Sequence, residues 1–193
     1  MACVPGIVKS IVSDCSTSGI GGNEIKAWIG NRSELDFTYD VTNPSKITSI
    51  ALNGEVASGE RLWTITGVKK LLNSGFDRVQ AEDRPDKFTH YFNFQGFEFK
   101  AEDVENLDNL DDVIVIVESK DKPDDGDGVF RAFGVKYGLY PSSDTMRAND
   151  INGARNIELT SLSGQEEPQS NYTVLDTDYA TTKALLVSLE TAL

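Results

Sequence analysis

Apolar and polar residues alternate along several short stretches of this chain, which is the pattern of half-buried β-strands. The alternation predicts strands over residues 24–29, 46–52, 62–66, 88–94 and 155–162. A longer strand is predicted over residues 129–140. Because Asn53-Gly54 is a strong signal for a tight β-turn, the strands on either side of it are expected to pair as a hairpin.

Three other segments depart from this alternation. Residues 113–117 (VIVIV) form an unbroken β-branched run, which predicts a strand buried on both faces. Residues 101–110 carry apolar residues at every third position and acidic residues in the first turn, which predicts a short amphipathic helix. A second helix is predicted over residues 179–193, with Asp178 or Thr177 as its N-cap.

About seven strands and two helices indicate a mainly β fold, a β-sandwich or barrel with one packed α-helix and a short C-terminal helix. We expect one domain over residues 1–193, with an N-terminal arm at 1–22 and a C-terminal arm at 176–193. The segment 31–44 is polar and turn-rich. Residues 67–87 are the hardest segment to assign to a strand or a helix. A partly ordered segment of that length is usually functional or flexible, and we expect this one to contact another subunit.

The charge of the chain is strongly negative, with a formal net charge of −13 and a pI near 4.4. Residues 98–127 hold twelve acidic residues and three lysines. Binding to nucleic acid through the surface field needs clustered Lys and Arg, so this charge argues against it. The loop that contains Asp124, Asp125 and Asp127 is the candidate acidic surface; it lacks ligand positions of a calcium loop, which leaves at most an adventitious cation site.

The chain has few groups arranged for catalysis. His90 is the single histidine, and it alternates with phenylalanines on a predicted strand, which favours a structural role over that of a general base. No serine lies in a nucleophile-elbow pattern, and no glycine-rich phosphate loop is present. We therefore predict a protein that is not an enzyme and has no cofactor and no metal site.

The chain lacks an apolar run near the ~20 residues of a membrane span, and its first residues lack the secretory pattern. These features predict a soluble protein made in a cytoplasm, with no membrane partner. Cys3 and Cys15 match no zinc or redox signature. Two reduced thiols are expected there, and a disulfide between them is the alternative.

Four segments of the chain carry a recognisable pattern: TYDVTNPSKITSIAL at 38–52, FRAFGVKYGLY at 130–140, RNIELTSLSGQEE at 155–167 and DTDYATTK at 176–183. Taken in this order, they resemble the tail tube proteins of tailed bacteriophages, in particular those of phages and prophages of Bacteroides-like bacteria. Each one is short and built of common residue types. Together they cover most of the chain from residue 38 onward, except residues 67–87.

This resemblance implies a virion structural protein. Its copies would form rings, six to a ring, which stack into the hollow tail tube through which DNA is ejected. The partners would be other copies and other tail proteins, assembled in the host cytoplasm, while DNA passes through the lumen without specific binding. Inter-ring contacts would come from a long loop and the terminal arms, and the candidate contact residues are Leu71, Leu72, Phe76, Val79, Asp176 and Tyr179. We expect some acidic side chains to face the lumen and repel DNA.

Two alternatives remain open on the sequence. One is another ring-forming tail or neck protein of the same fold, such as a terminator or baseplate subunit. The other is an acidic β-sandwich that binds host glycans. Against the glycan alternative, Trp28 and Trp63 both lie in predicted strands, where tryptophan is more often a core residue than part of an exposed binding platform.

Overall fold

The computed structural model describes residues 22–53, 62–66, 72–82, 85–96, 100–147, 149 and 154–191. Within them the chain forms eleven strands and two α-helices. The elements are β1 (Asn23–Asn31), β2 (Leu35–Tyr39), β3 (Lys46–Leu52), β4 (Trp63–Thr66), β5 (Leu72–Val79), β6 (Lys87–Gly96), α1 (Ala101–Asp108), β7 (Val113–Ser119), β8 (Phe130–Phe133), β9 (Tyr140–Met146), β10 (Arg155–Thr160), β11 (Tyr172–Val174) and α2 (Tyr179–Thr191). The expectation of a mainly β fold is confirmed. The predicted N-terminal arm, Cys3 and Cys15 lie outside the described residues, apart from Gly22.

The strands form two sheets. The large sheet has seven strands in the order β2-β3-β11-β8-β7-β1-β4, and the small sheet has four in the order β5-β6-β10-β9. Neighbouring strands are antiparallel except β3 and β11, which are parallel. The small sheet packs on one face of the large sheet, and α2 covers the other face.

Strand β7 shows how these layers are built. Val113, Val115 and Val117 face the small sheet and join one hydrophobic cluster, which also contains Phe92, Phe94, Ile157 and Leu159. Ile114 and Ile116 face the opposite way, into a second cluster with Trp28, Phe130, Leu186 and Leu189. All seven residues of β7 are buried, so the prediction of a strand covered on both faces is confirmed. Burial of each such side chain stabilises the fold by about 1.5–3 kcal/mol.

The two helices differ from the sequence-based expectation in their roles. The Asp178 carboxylate accepts a hydrogen bond from the Thr181 backbone N–H at 2.8 Å, which confirms Asp178 as the cap of α2. Leu186 and Leu189 of α2 are buried against the large sheet. Helix α1 adds only the partly buried Leu107 to the clusters. The C-terminal helix is therefore the principal packed helix, because two of its apolar side chains are buried in the cluster on the large sheet.

The long strand predicted over residues 129–140 is wrong: the segment divides between two sheets. Strand β8 ends in the large sheet at Phe133, and β9 begins in the small sheet at Tyr140. Between them Gly134 has φ +72° and Gly138 has φ +79°, a region that favours glycine. A Cβ at Gly134 would lie 2.9 Å from the Val113 carbonyl oxygen. The glycines that break up the strand pattern thus turn the chain from one sheet to the other.

The hairpin predicted around Asn53-Gly54 is also wrong. Strand β4 pairs with β1, whereas β3 lies between β2 and β11. Residues 54–61 lie outside the described residues. Strand β2 lies within the segment 31–44, which is polar and turn-rich in sequence and in which no strand was predicted. Alternation specifies which side chains of a strand share a face, but it does not identify the partner strand.

The segment 67–87 is not an irregular excursion over most of its described length. Residues 72–79 form β5, which pairs with β6 at every position from Leu72 opposite Phe94 to Val79 opposite Lys87. The loop interpretation is wrong there because β5 lies at an edge, where exposed polar and charged residues replace the apolar alternation. A contact of this segment with another subunit stays a prediction.

Candidate functional site: the edges of the small sheet

Each sheet ends in two edge strands that have only one neighbour among the described residues: β2 and β4 in the large sheet, β5 and β9 in the small sheet. An edge strand exposes backbone N–H and C=O groups that can pair with another chain. Strands β4 and β2 have four and five residues, while β9 and β5 have seven and eight. Proteins that stay monomeric usually keep their edge strands short, so the small sheet offers the longer surface for pairing.

The β5 edge carries exposed apolar side chains and an arginine whose guanidinium contacts an aromatic ring and a carboxylate. Phe76 is 43% exposed, and its ring makes an edge-to-face contact with Phe88 at 5.6 Å between centroids. The Arg78 guanidinium lies over the same Phe88 ring at 5.5 Å and forms an ion pair with Asp86 at 3.7 Å. Val79 is also exposed. Large apolar side chains on a long edge strand are typical of a contact surface.

The β9 edge carries an exposed thioether and a fixed carboxylate. Met146 is 65% exposed. The Arg155 guanidinium donates to the Asp144 carboxylate at 2.8 Å and to the Asp108 carboxylate at 2.6 Å, which links β9 and β10 to the end of α1. The two carboxylates raise the pKa of Arg155, so this cation stays charged. Pro141 lies near the start of β9, as expected of an edge strand, because proline has no N–H to donate.

The face of the small sheet that points away from the hydrophobic cluster is polar and almost neutral. It is defined by the residues that alternate with the buried ones along the four strands. Only three charged residues occur at its paired positions: Asp77, Lys87 and Glu158. The Tyr91 side chain covers Gly75, since a Cβ there would lie 2.6 Å from the ring atom that bears the hydroxyl. The rest of this outward face is mainly amides and hydroxyls, among them Asn73, Asn93, Gln95, Asn156, Thr89 and Thr145.

The three candidate acidic residues lie elsewhere. Asp124, Asp125 and Asp127 are exposed in the loop between β7 and β8, two strands of the large sheet. The Asp125 carboxylate accepts a hydrogen bond from the Asp127 backbone N–H at 3.1 Å. They are therefore not part of the outward face of the small sheet.

The predicted contact residues are spread over several environments. Phe76 and Val79 lie on the β5 edge, and Asp176 is exposed just before α2. Leu72 is buried in the cluster between the sheets, so its side chain is not available to a neighbour. Tyr179 stacks on Phe130 with centroids 5.5 Å apart, and its hydroxyl donates to the Glu118 carboxylate at 2.7 Å, which places it in the packing of α2. Leu71 lies outside the described residues.

His90 is fully buried, and both of its ring nitrogens have backbone partners. Nδ1 accepts a hydrogen bond from the Gly134 N–H at 3.1 Å, and Nε2 donates to the Gln169 carbonyl oxygen at 2.9 Å. Burial lowers the pKa of His90 to about 4, so the ring is neutral at pH 7. These contacts fit the structural role expected for this histidine.

Glu167 is the second buried ionisable group near the turn that leads from β8 to β9. Its carboxylate accepts hydrogen bonds from the Lys136 and Tyr137 backbone N–H groups, both at 2.9 Å, and from the Tyr172 hydroxyl at 3.3 Å. Burial raises the pKa of Glu167 despite these donors. Glu167 and His90 together hold the glycine-rich turn in place.

A cavity of about 680 Å³ lies between α1 and the β4 edge. It is lined by Trp63, which is 36% exposed, and by polar residues that include Asn31, Asn106, Asn109 and Asp103. The expectation that Trp63 is a core residue is therefore wrong, because β4 is an edge strand with one open side; Trp28, in contrast, is fully buried.

Among the described residues, no group of three or more His, Cys, Asp or Glu side chains is arranged to hold a metal ion. No helix in that part of the chain is long and apolar enough to cross a membrane. No protein-family model, no curated protein and no solved structure matches this chain.

Proposed function

We propose that this chain is a self-assembling structural subunit, whose copies join through the small sheet into rings that stack as the tube of a phage tail. The two long edges of the small sheet are the observation that carries the proposal. They add a means of assembly to the four motifs that resemble tail tube proteins. The protein then acts as a conduit for DNA and catalyses no reaction.

The strand directions of the small sheet suit head-to-tail joining. Four antiparallel strands place β5 and β9 at opposite edges and in opposite directions. Strand β9 of one copy can therefore add to β5 of the next in antiparallel fashion, which preserves the alternation across the junction. The contact joins two different edges, so it is heterologous, and successive copies close into a ring when the rotation allows. A closed ring leaves no edge of the small sheet unpaired.

In such a ring the small sheet lines the bore and α2 lies on the outside. The bore wall is then the nearly neutral face of amides, hydroxyls and Tyr91. A basic wall would bind DNA phosphates, and this face carries one lysine against two carboxylates at its paired positions. DNA that passes through the bore would meet no strong electrostatic field from this wall. This arrangement replaces the expected acidic wall at Asp124, Asp125 and Asp127 with a neutral one.

The test compares two lysine substitutions at side chains of nearly equal exposure. Phe76 on β5 is 43% exposed and Val187 on α2 is 41% exposed. We expect the unmodified protein to form rings and tubes in negative-stain electron microscopy. Phe76→Lys should stay monomeric in light scattering, because it replaces an apolar contact on the pairing edge with a cation that has no partner of opposite charge and must be desolvated. Val187→Lys should assemble as the unmodified protein does.

Circular dichroism of both variants checks that the fold is retained. An unmodified protein that remains monomeric at high concentration contradicts the proposal, and so does assembly by a well-folded Phe76→Lys. Single rings in place of tubes would favour the alternative of a terminator or baseplate subunit.

The cavity beside Trp63 favours one second candidate, the glycan-binding module. A partly exposed indole among amide side chains is suited to stack on a sugar ring while the amides bind its hydroxyls. A glycan array with the unmodified protein tests this candidate, with Trp63→Ala as its control. If the unmodified protein stays monomeric and binds a glycan, and Trp63→Ala abolishes that binding, the result supports a glycan-binding function and contradicts the tube.

A further inference from the structure

We infer the register of the junction between copies: residues 143–146 of β9 pair with residues 76–79 of β5 on the next copy, with Met146 opposite Phe76 and Asp144 opposite Arg78. This inference rests on the proposed assembly through the small sheet and specifies its contacts. The partner is a second copy of this chain.

The two faces of the small sheet restrict the register. On β5, Phe76 and Arg78 lie opposite His90 and Phe88 and so share the face that carries the hydrophobic cluster. On β9, Asp144 lies opposite Ile157 and belongs to the same face. A continuous sheet keeps this face on one side, so cluster-side residues must oppose cluster-side residues. Every second register is thereby excluded.

The start of β9 restricts the register further. Pro141 has no N–H, and the pairing of β9 with β10 is irregular between Glu158 and Leu159, close to Pro141. The regular part of β9 is therefore residues 143–146, at its C-terminal end. These four residues are enough to pair with four residues of β5.

Side-chain chemistry selects among the registers that remain. The inferred register places the exposed Met146 thioether against the exposed Phe76 ring and the Asp144 carboxylate against the Arg78 guanidinium. A shift of two residues in one direction sets Met146 against Ser74 and Asp144 against Phe76. A shift in the other direction sets Met146 against Arg78. The first shift thus places a carboxylate against an apolar ring, and the second places a thioether against a guanidinium.

The two charged side chains are held in place before any copies meet. Arg78 lies over the Phe88 ring and beside Asp86, and Asp144 is bound by Arg155. Side chains that are already ordered lose less conformational entropy when a contact forms. Arg78 and Asp144 each have a partner of opposite charge within their own copy. Neither charge would therefore be uncompensated when the junction forms.

Disulfide crosslinking tests the register in a chain in which Cys3→Ser and Cys15→Ser remove the native thiols. The matched pair is Phe76→Cys with Met146→Cys, and the control is Ser74→Cys with Met146→Cys. Directly opposed residues of antiparallel strands have Cα atoms about 4.5–5.5 Å apart, within disulfide reach, while a slip of two residues separates them by about 8 Å. Within one copy the two edges are about 14 Å apart, so any disulfide joins two copies.

After mild oxidation of the assembled protein, we expect the matched pair to give a ladder of covalent multimers on a non-reducing gel, about tenfold more than the control pair. Electron microscopy of the same samples reports assembly separately. Rings or tubes with more crosslinking in the Ser74 pair, or with none in either pair, overturn the register and leave the proposed function standing. A protein that forms no assembly overturns both.

Discussion

The large and small sheets of this protein are both built mainly of antiparallel pairs but differ in what covers them. Strand β7, in the middle of the large sheet, has every residue buried between the small sheet and α2. Strand β9, at the edge of the small sheet, has no fully buried residue. The middle of the large sheet is covered on both faces, whereas the small sheet presents a polar face and two longer edge strands to the outside.

This difference indicates that the large sheet contributes most to the stability of the fold, whereas the edges of the small sheet are the proposed contacts with other copies. The sequences of the two strands already reflect it, since β7 begins VIVIV and β9 reads YPSSDTM. Apolar residues in β7 contribute burial on two faces. Polar residues in β9 contribute little to the core, which leaves them available for contacts with another copy. Substitutions in the large sheet should therefore change the free energy of unfolding, and substitutions at the small sheet's edges should change assembly.

The largest effect is expected for Trp28→Ala in the large sheet. Trp28 is fully buried, makes an edge-to-face contact with Phe130 and donates its indole N–H to the Glu190 carboxylate. Loss of this side chain leaves a cavity and should lower the free energy of unfolding by about 3–5 kcal/mol.

Urea unfolding followed by fluorescence or circular dichroism measures this change. Thr145→Ala on the outward face of the small sheet is the control, with an expected change within about 0.5 kcal/mol. Equal losses for the two variants would contradict the division of roles between the sheets.

The next effect is a pH dependence centred on His90, which joins the small sheet to the turn after β8. Burial lowers its pKa to about 4 in the folded protein, against 6.5 in a model compound. Between these values the unfolded chain binds a proton that the folded chain does not. The free energy of unfolding should therefore fall by about 3 kcal/mol as the pH drops from about 6.5 to 4.

Glu167 acts in the opposite direction, because burial raises its pKa and the folded protein is stabilised when this carboxyl is protonated. Comparison of the unmodified protein with His90→Gln isolates the contribution of the histidine to the pH dependence of the free energy of unfolding, because the contribution of Glu167 is common to both proteins. The difference in free energy of unfolding between the unmodified protein and His90→Gln should shrink as the pH falls. A difference that is constant from pH 7 to 4 would show that His90 does not titrate as expected.

The smallest effect is expected in the loop between β7 and β8. Asp124→Asn, Asp125→Asn and Asp127→Asn together remove three charges from exposed positions outside both sheets. We expect the free energy of unfolding to change by no more than about 0.5 kcal/mol, with rings and tubes formed as before. If tubes of this triple variant retain DNA that the unmodified tubes release, the bore is lined by this loop and not by the small sheet.

Part of the candidate site could be inferred from the sequence, although for a different structural reason. Phe76 and Val79 were expected to contact another copy as members of a loop, and they lie on an edge strand. Asp144 and Met146 were not among the expected contacts, because the predicted strand ended at residue 140. Pro141 and the polar residues after it gave no apolar alternation from which β9 could be predicted.

The sequence by itself determined the elements whose signal is local. The run 113–117 requires burial on two faces, the alternation of 46–52 defines β3, and Asp178 begins α2. Only the tertiary structure decided which strands pair, that β4 joins β1, and that β8 and β9 belong to different sheets. The physical reason is that periodicity records which side chains share a face, while pairing, edges and layer order depend on contacts between residues far apart in the chain.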